Sequence, residues 1–174
     1  MSKSMVLSGP MSALRSRFGD REAIRRMAKA GFDAVDYTFN EMVSDDCVWN
    51  TPRWEEYGKE LLTLARDQCV FFNQAHAPFL FDWDHEWLTP AFETNILPKI
   101  HQSFRCAALL GIPRIVVHPI HHIRYRGNQA MLWDWNQEYY YRILALGKEC
   151  GVQIALENMW QTDPLRGCGD SDVF

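Results

Sequence analysis

Four short apolar runs, each closing on a polar residue, recur along this chain with a period of 40 residues. Gly31 leads into Phe32-Asp33-Ala34-Val35, which ends at Asp36, and Gly111 leads into Ile112-Pro113-Arg114-Ile115-Val116-Val117, which ends at His118. Val70-Phe71-Phe72-Asn73-Gln74-Ala75 ends at His76, with Phe71 where the period would place a glycine. Gly151 leads into Val152-Gln153-Ile154-Ala155-Leu156, which ends at Glu157-Asn158. A short apolar run that stops abruptly at a carboxylate or imidazole reads as a buried parallel strand, with its last residue emerging at one rim of a sheet.

Helical stretches separate these runs. Asp20 is placed to cap a helix reaching about Ala30, with Ile24, Met27, Ala28 and Gly31 on its buried face and Gly31 suited to the C-terminal cap. Thr51-Pro52 opens the next, with Tyr57, Leu61, Leu64 and Ala65 turned inward. A third begins near Asn95, because Pro98 is tolerated only in a first turn, and Ile100, Phe104, Ala107 and Ala108 form its stripe. A fourth carries Trp135, Tyr139, Ile143 and Leu146 and stops at Gly151. Met5-Val6-Leu7-Ser8 reads as a first strand broken by Gly9-Pro10, and residues 167–174 as a loop ending in a helix cap.

Strict alternation of strand and helix implies right-handed crossovers and a parallel sheet. An open doubly wound sheet would want a glycine-rich phosphate loop after the first strand, which Leu7-Ser8-Gly9-Pro10-Met11-Ser12 does not supply. The regular repeat with polar strand ends favours the TIM barrel, whose active sites form at the C-terminal rim. A complete barrel has eight units and typically about 250 residues. With 174 residues and about five strands, the chain reads as an α/β protein holding part of a TIM barrel, residues 1–174 forming a single partial domain with no linker.

Composition removes several function classes. A net charge of −4 gives no reason to expect a nucleic-acid partner. No run approaches the roughly 20 apolar residues of a membrane span, and residues 1–10 lack the apolar core of a signal peptide. Cys47, Cys69, Cys106, Cys150 and Cys168 are odd in number and never in Cys-x-x-Cys spacing. They read as reduced, mostly buried thiols of a cytoplasmic protein.

The strand ends carry the chemistry. A carboxylate closing a buried strand must meet solvent, a metal or a partner, which makes Glu157 the first candidate; the bland reading is an ion pair with a neighbouring arginine. His76 and His118 hold the corresponding positions two units and one unit earlier. Two imidazoles and a carboxylate on one rim suit Zn, Mn or Fe. Asn158 orients a neighbour or caps a turn. His121 and His122 belong to a loop, as surface or substrate-contacting groups. The long loop 77–87 mixes aromatics and acids as a pocket wall does. Within the rim loops Trp83, Trp87 and Trp160 suit either a sugar ring or plain packing, and Arg124 and Arg126 are best read as solvated charges.

At this level the chain resembles a known family. Ala75-His76-Ala77-Pro78-Phe79, Ile115-Val116-Val117-His118-Pro119 and Ala155-Leu156-Glu157-Asn158 are similar to strands three, four and five of the xylose-isomerase-like TIM barrels, a superfamily of sugar-phosphate isomerases and epimerases that also includes the type 2 AP endonucleases. The resemblance implies a divalent metal (Mn, Mg, Co or Zn) held by Glu157, His76 and His118, with Glu157 also the catalytic base. It implies a small sugar or sugar-like keto substrate contacted by Trp83, His121, Asn158 and Trp160. In the epimerase branch the carboxylate matching Glu157 moves a proton on the way to an enediolate. In the endonuclease branch all three positions hold zinc, but the acids Asp45, Asp46, Asp82, Asp84 and Glu86 oppose a DNA partner. With strands six to eight absent from the sequence, this reading expects weak metal affinity and negligible turnover from the chain alone. A half-barrel that self-associates through its edge strands is the non-catalytic alternative.

Overall fold

The computed structural model describes residues 5–79, 86–121, 126–159, 161–163 and 168–170. Five parallel strands lie in the order of the chain: β1 (Ser8–Pro10), β2 (Ala34–Thr38), β3 (Phe71–His76), β4 (Arg114–Val117) and β5 (Gln153–Leu156). Between them run α1 (Ser12–Phe18), α2 (Asp20–Lys29), α3 (Trp54–Asp67), α4 (Leu97–Leu109) and α5 (Gln129–Cys150). Sequential parallel strands joined by helices are the repeating unit of a TIM barrel. Five of the eight units are present, so the barrel is partial.

The repeat period sets the positions of the strands, and local chemistry shifts their ends. The first strand starts at Ser8 rather than Met5, leaving Leu7 to accept from Asp33 N and Ala34 N through its carbonyl. Pro10, which has no N–H to donate, ends it on the sheet edge. β2 runs two residues beyond Asp36, to Thr38. α1 has no counterpart in the sequence reading. Asp20 is not the cap of α2 but its first residue, Gly19 occupying the cap position. α3 starts at Trp54, later than Thr51-Pro52 suggests. α4 is entered through a π turn over Phe92–Ile96, with Pro98 in its first turn as expected. Its buried stripe takes Ser103 and Cys106 with Ile100, Phe104 and Ala107, while Ala108 faces out. Gly31, expected on the buried face of α2, is exposed but has φ +87 just past the helix end, as a C-terminal glycine should. Cys168, expected in a loop, lies in β7 (Cys168–Asp170), which pairs antiparallel with β6 (Gln161–Asp163).

Side chains alternate across the sheet. Val35, Tyr37, Phe72, Ala75, Ile115 and Val117 face the helices and are buried in the core. Tyr37 anchors the aromatic part of that core, meeting Phe39, Trp49 and Phe72 at ring centroid distances of 5.0, 6.0 and 5.8 Å. Trp49 Nε1 donates to the Tyr37 hydroxyl at 2.9 Å, so the buried indole N–H is paired. Trp87 also belongs to the core, edge-on to Phe92 and Tyr139. Packing, not sugar contact, explains it. Of Cys47, Cys69, Cys106 and Cys150 only Cys106 is buried, and Cys69 is exposed. No helix among the described residues is long and apolar enough to cross a membrane.

Gly147 sets how closely α5 approaches β5. A Cβ there would sit 2.9 Å from the Val152 carbonyl oxygen and 3.1 Å from Ile154. Backbone cannot move aside as a side chain can, so Gly147→Ala should destabilise the fold by about 1–2 kcal/mol net of the helix propensity gained. Urea unfolding of the variant checks this, and unchanged stability would show that the helix end repositions freely.

Candidate metal centre

Each strand hands its next residue to the rim through one more ladder bond. Phe39 N donates to the His76 carbonyl at 2.9 Å, Ala77 N to Val116 at 2.9 Å, and Glu157 N to Val117 at 3.2 Å. The register pairs His76 with Val116 and Val117 with Leu156, so His118 and Glu157 leave their strands level with each other and two residues beyond His76. Neighbouring strands are about 4.8 Å apart. β3 and β5 are not neighbours, so the side chains converge across β4 to bring the donor atoms of the three residues within 4.8 Å of one another.

Glu157 Oε2 stands 3.0 Å from His118 Nε2 and 3.7 Å from His76 Nε2. That oxygen is shielded from solvent and makes no hydrogen bond of acceptable angle among the described residues. Donors bound at roughly 2.0–2.2 Å to a tetrahedral ion are separated by about 3.4 Å, a value between the two distances. The imidazole planes cross at 86°, with 5.9 Å between centroids. Phe79 covers the ring of His118 at 4.0 Å, and Asn40 Oδ1 holds Phe79 in place by accepting from its backbone N–H at 3.0 Å. Two imidazoles and a carboxylate, with one side of the group open, fit a borderline divalent ion that keeps positions for further ligands.

A second tier lies behind His76. Asp36 Oδ1 is 3.3 Å from His76 Nδ1, and Gln74 Nε2 donates to Asp36 Oδ2 at 2.9 Å. The Asp36 carboxylate beside Nδ1 raises the pKa of His76, burial opposes the shift, and the Glu157 charge adds to it. Asp36 was legible as a polar strand end, yet its partnership with His76 depends on a bulge that periodicity does not announce. The register between β2 and β3 slips between Val35 and Asp36, pairing Val35 with Phe72 but Asp36 with Gln74. Both bulge residues then serve the inner face: Asn73 accepts from Ser8 Oγ at 2.9 Å, and Gln74 holds Asp36.

The other expected site residues divide. His121, expected in a loop as a surface or substrate-contacting group, is buried rather than on the surface, with Nδ1 2.8 Å from the Pro119 carbonyl and its ring 6.3 Å from that of His118. Asn158 is exposed just past β5. Arg126 is an exposed loop charge, as read. Trp83, Trp160, His122 and Arg124 lie outside the described residues.

Fold and rim together can be set against known proteins. The family model described as "Xylose isomerase-like TIM barrel" matches residues 24–171. The chain belongs to this family. No curated protein sequence matches it. Among solved structures, a D-tagatose 3-epimerase-like protein superposes with a TM-score of 0.65 at 21% identity, over 94% of this chain and 55% of its own. A D-psicose 3-epimerase solved in the presence of D-fructose gives 0.63 at 15% identity, over 89% and 53%. A sugar phosphate isomerase/epimerase from Parabacteroides distasonis gives 0.55 at 15%, over 90% and 52%. This xylose isomerase-like chain thus spans about half the length of the structures it matches, and at such identities the likeness is one of fold.

Proposed function

We propose that the chain carries the metal-binding half of a sugar isomerase or epimerase, with His76, His118 and Glu157 as ligands and Glu157 as the base. The convergence of three donor atoms within 4.8 Å at one barrel rim carries this reading. A divalent ion there supplies Lewis acidity towards the carbonyl and hydroxyl oxygens of an open-chain ketose. Glu157, half-exposed at the rim, reaches the proton on the carbon beside the carbonyl and takes it, leaving an enediolate. When that carbon is C3, protonation of its other face by a second acid gives the epimer; when it is C1, protonation at the former carbonyl carbon gives the aldose. His76 and His118 fix Glu157 between them, and Phe79 keeps water from one face of His118. Solved structures similar to this chain include a D-tagatose 3-epimerase-like protein and a D-psicose 3-epimerase, which makes free ketohexoses the first substrates to try.

Deuterium wash-in tests the reading sensitively. The chain, near-stoichiometric with D-fructose or D-tagatose in deuterated buffer with Mn or Co, should label the carbon beside the carbonyl slowly, and a chelator should stop it. Exchange no faster than with buffer and metal alone would overturn the proposal. The two-histidine donor set also suits zinc-dependent hydrolysis, so metal-dependent cleavage of an abasic-site oligonucleotide would favour a phosphodiesterase instead. A self-associating half-barrel draws on the exposed Leu7 and Leu156 at the two outer strands; a monomer in solution argues against it.

A further inference from the structure

We propose that Asp36 is a positioning residue for the metal centre, its carboxylate holding His76 in the tautomer that turns a lone pair towards Glu157 and His118. The inference rests on the metal reading above and adds a residue to it. Gln74 occupies one oxygen of Asp36, at 2.9 Å, and leaves Oδ1, buried and without a well-angled hydrogen bond among the described residues, facing His76 Nδ1 at 3.3 Å. A carboxylate is acceptor only, so a neutral imidazole beside it carries its proton on Nδ1. Nε2 is then unprotonated, and it is the nitrogen that points at Glu157 Oε2, 3.7 Å away. The opposite tautomer would put an N–H where an ion needs a donor pair.

The arrangement is built into the sheet. Asp36 belongs to β2 and His76 to β3, and with strict alternation in β3 Gln74 would share a face with Phe72. Phe72 is buried against the helices. The register slip after Val35 lets Phe72 face the helices while Gln74 faces the rim group. Asp36 is itself held from the other side, its carbonyl accepting from Met11 N at 3.2 Å. Carboxylate, amide and imidazole therefore occupy fixed places before any ion arrives. Such partners orient a ligand ring and raise its basicity, and their removal typically costs 10–100-fold in metal affinity.

Long-range proton–nitrogen NMR spectra of the metal-free chain, with His76 assigned through a His76→Gln variant, read the tautomer directly. At alkaline pH, where His76 is neutral despite its raised pKa, the wild type should show His76 protonated at Nδ1, Asp36→Ala should release it to Nε2–H, and Asp36→Asn, which keeps an acceptor oxygen, should retain part of the Nδ1–H form. Zinc titrated into the same samples should shift His76 and His118 in the wild type and require about 10–100-fold more ion in Asp36→Ala. Circular dichroism establishes that each variant is folded, and Gln74→Ala provides a milder perturbation should Asp36→Ala unfold. An unchanged tautomer in folded Asp36→Ala, or in Gln74→Ala where that variant stands in for it, with zinc still binding, overturns this inference and leaves the metal reading intact. A wild type whose histidines ignore zinc overturns the metal reading, and with it the purpose assigned to Asp36, even where the tautomer shift is seen.

Discussion

Replacing Glu157 with glutamine should abolish the response of this chain to divalent ions and, with it, any exchange of a ketose's carbon-bound proton. Glutamine has nearly the same shape, but its amide is a poor ligand and no base. Loss of a partner behind a ligand already costs 10–100-fold in affinity, so loss of the central donor should cost at least about 100-fold. Removal of a general base lowers rates by about 10²–10⁴-fold, which takes slow exchange below detection. The side chain of Glu157 is 41% exposed, so the substitution should leave stability close to wild type. Zinc or manganese titration of folded Glu157→Gln gives the answer. An undiminished response would move the ligand set away from the rim.

The second large effect concerns a buried ion pair that composition gives no hint of. Arg15 Nε lies 2.5 Å from Asp20 Oδ1, and the two side chains are 2% and 5% exposed. The guanidinium also donates to the Thr38 carbonyl and to Glu41, and stacks 4.8 Å over Tyr37. Asp20 accepts in addition from the Tyr57 hydroxyl at 2.5 Å, and burial with the Asp20 charge pushes the Tyr57 pKa well up. Removing one partner strands the other charge, so Asp20→Ala should cost about 3–5 kcal/mol. For a domain of this size that lowers Tm by roughly 10 °C or more. Replacing Arg15 and Asp20 together with methionine and leucine should recover most of the loss. Chemical and thermal unfolding measure both. A loss below about 1 kcal/mol in Asp20→Ala would mean that water reaches Arg15 in place of the carboxylate.

These two clusters show what the chain declares locally and what it does not. The 40-residue period, the apolar runs and their polar ends suffice for the parallel strands, their order and the three rim residues, because each is a property of one short segment. Arg15 and Asp20 are ordinary surface residue types whose burial follows from α1 docking under the end of β2, and nothing in their neighbourhood encodes that. Asp36 was visible as a strand end, but its link to His76 arises from a one-residue slip between two strands. His121 sits in a polar stretch and is nevertheless buried, its Nδ1 against the Pro119 carbonyl. Trp87 could be read as a substrate contact only until Phe92 and Tyr139 were seen to enclose it.

The residues of the rim centre, 36, 76, 118 and 157, are separated by about forty positions at each step. No hairpin, single helix or isolated strand contains two of them. Loop closure must therefore come before any donor meets another, and contacts of such long sequence separation form slowly. A chain in which β3, β4 and β5 have not all paired offers at most two of the three donors. An ion that binds here selects the assembled sheet over every intermediate and stabilises it in proportion to its occupancy. The rate at which zinc is captured during refolding should thus track the docking of β3, β4 and β5, making the ion a clock for the last stage of assembly.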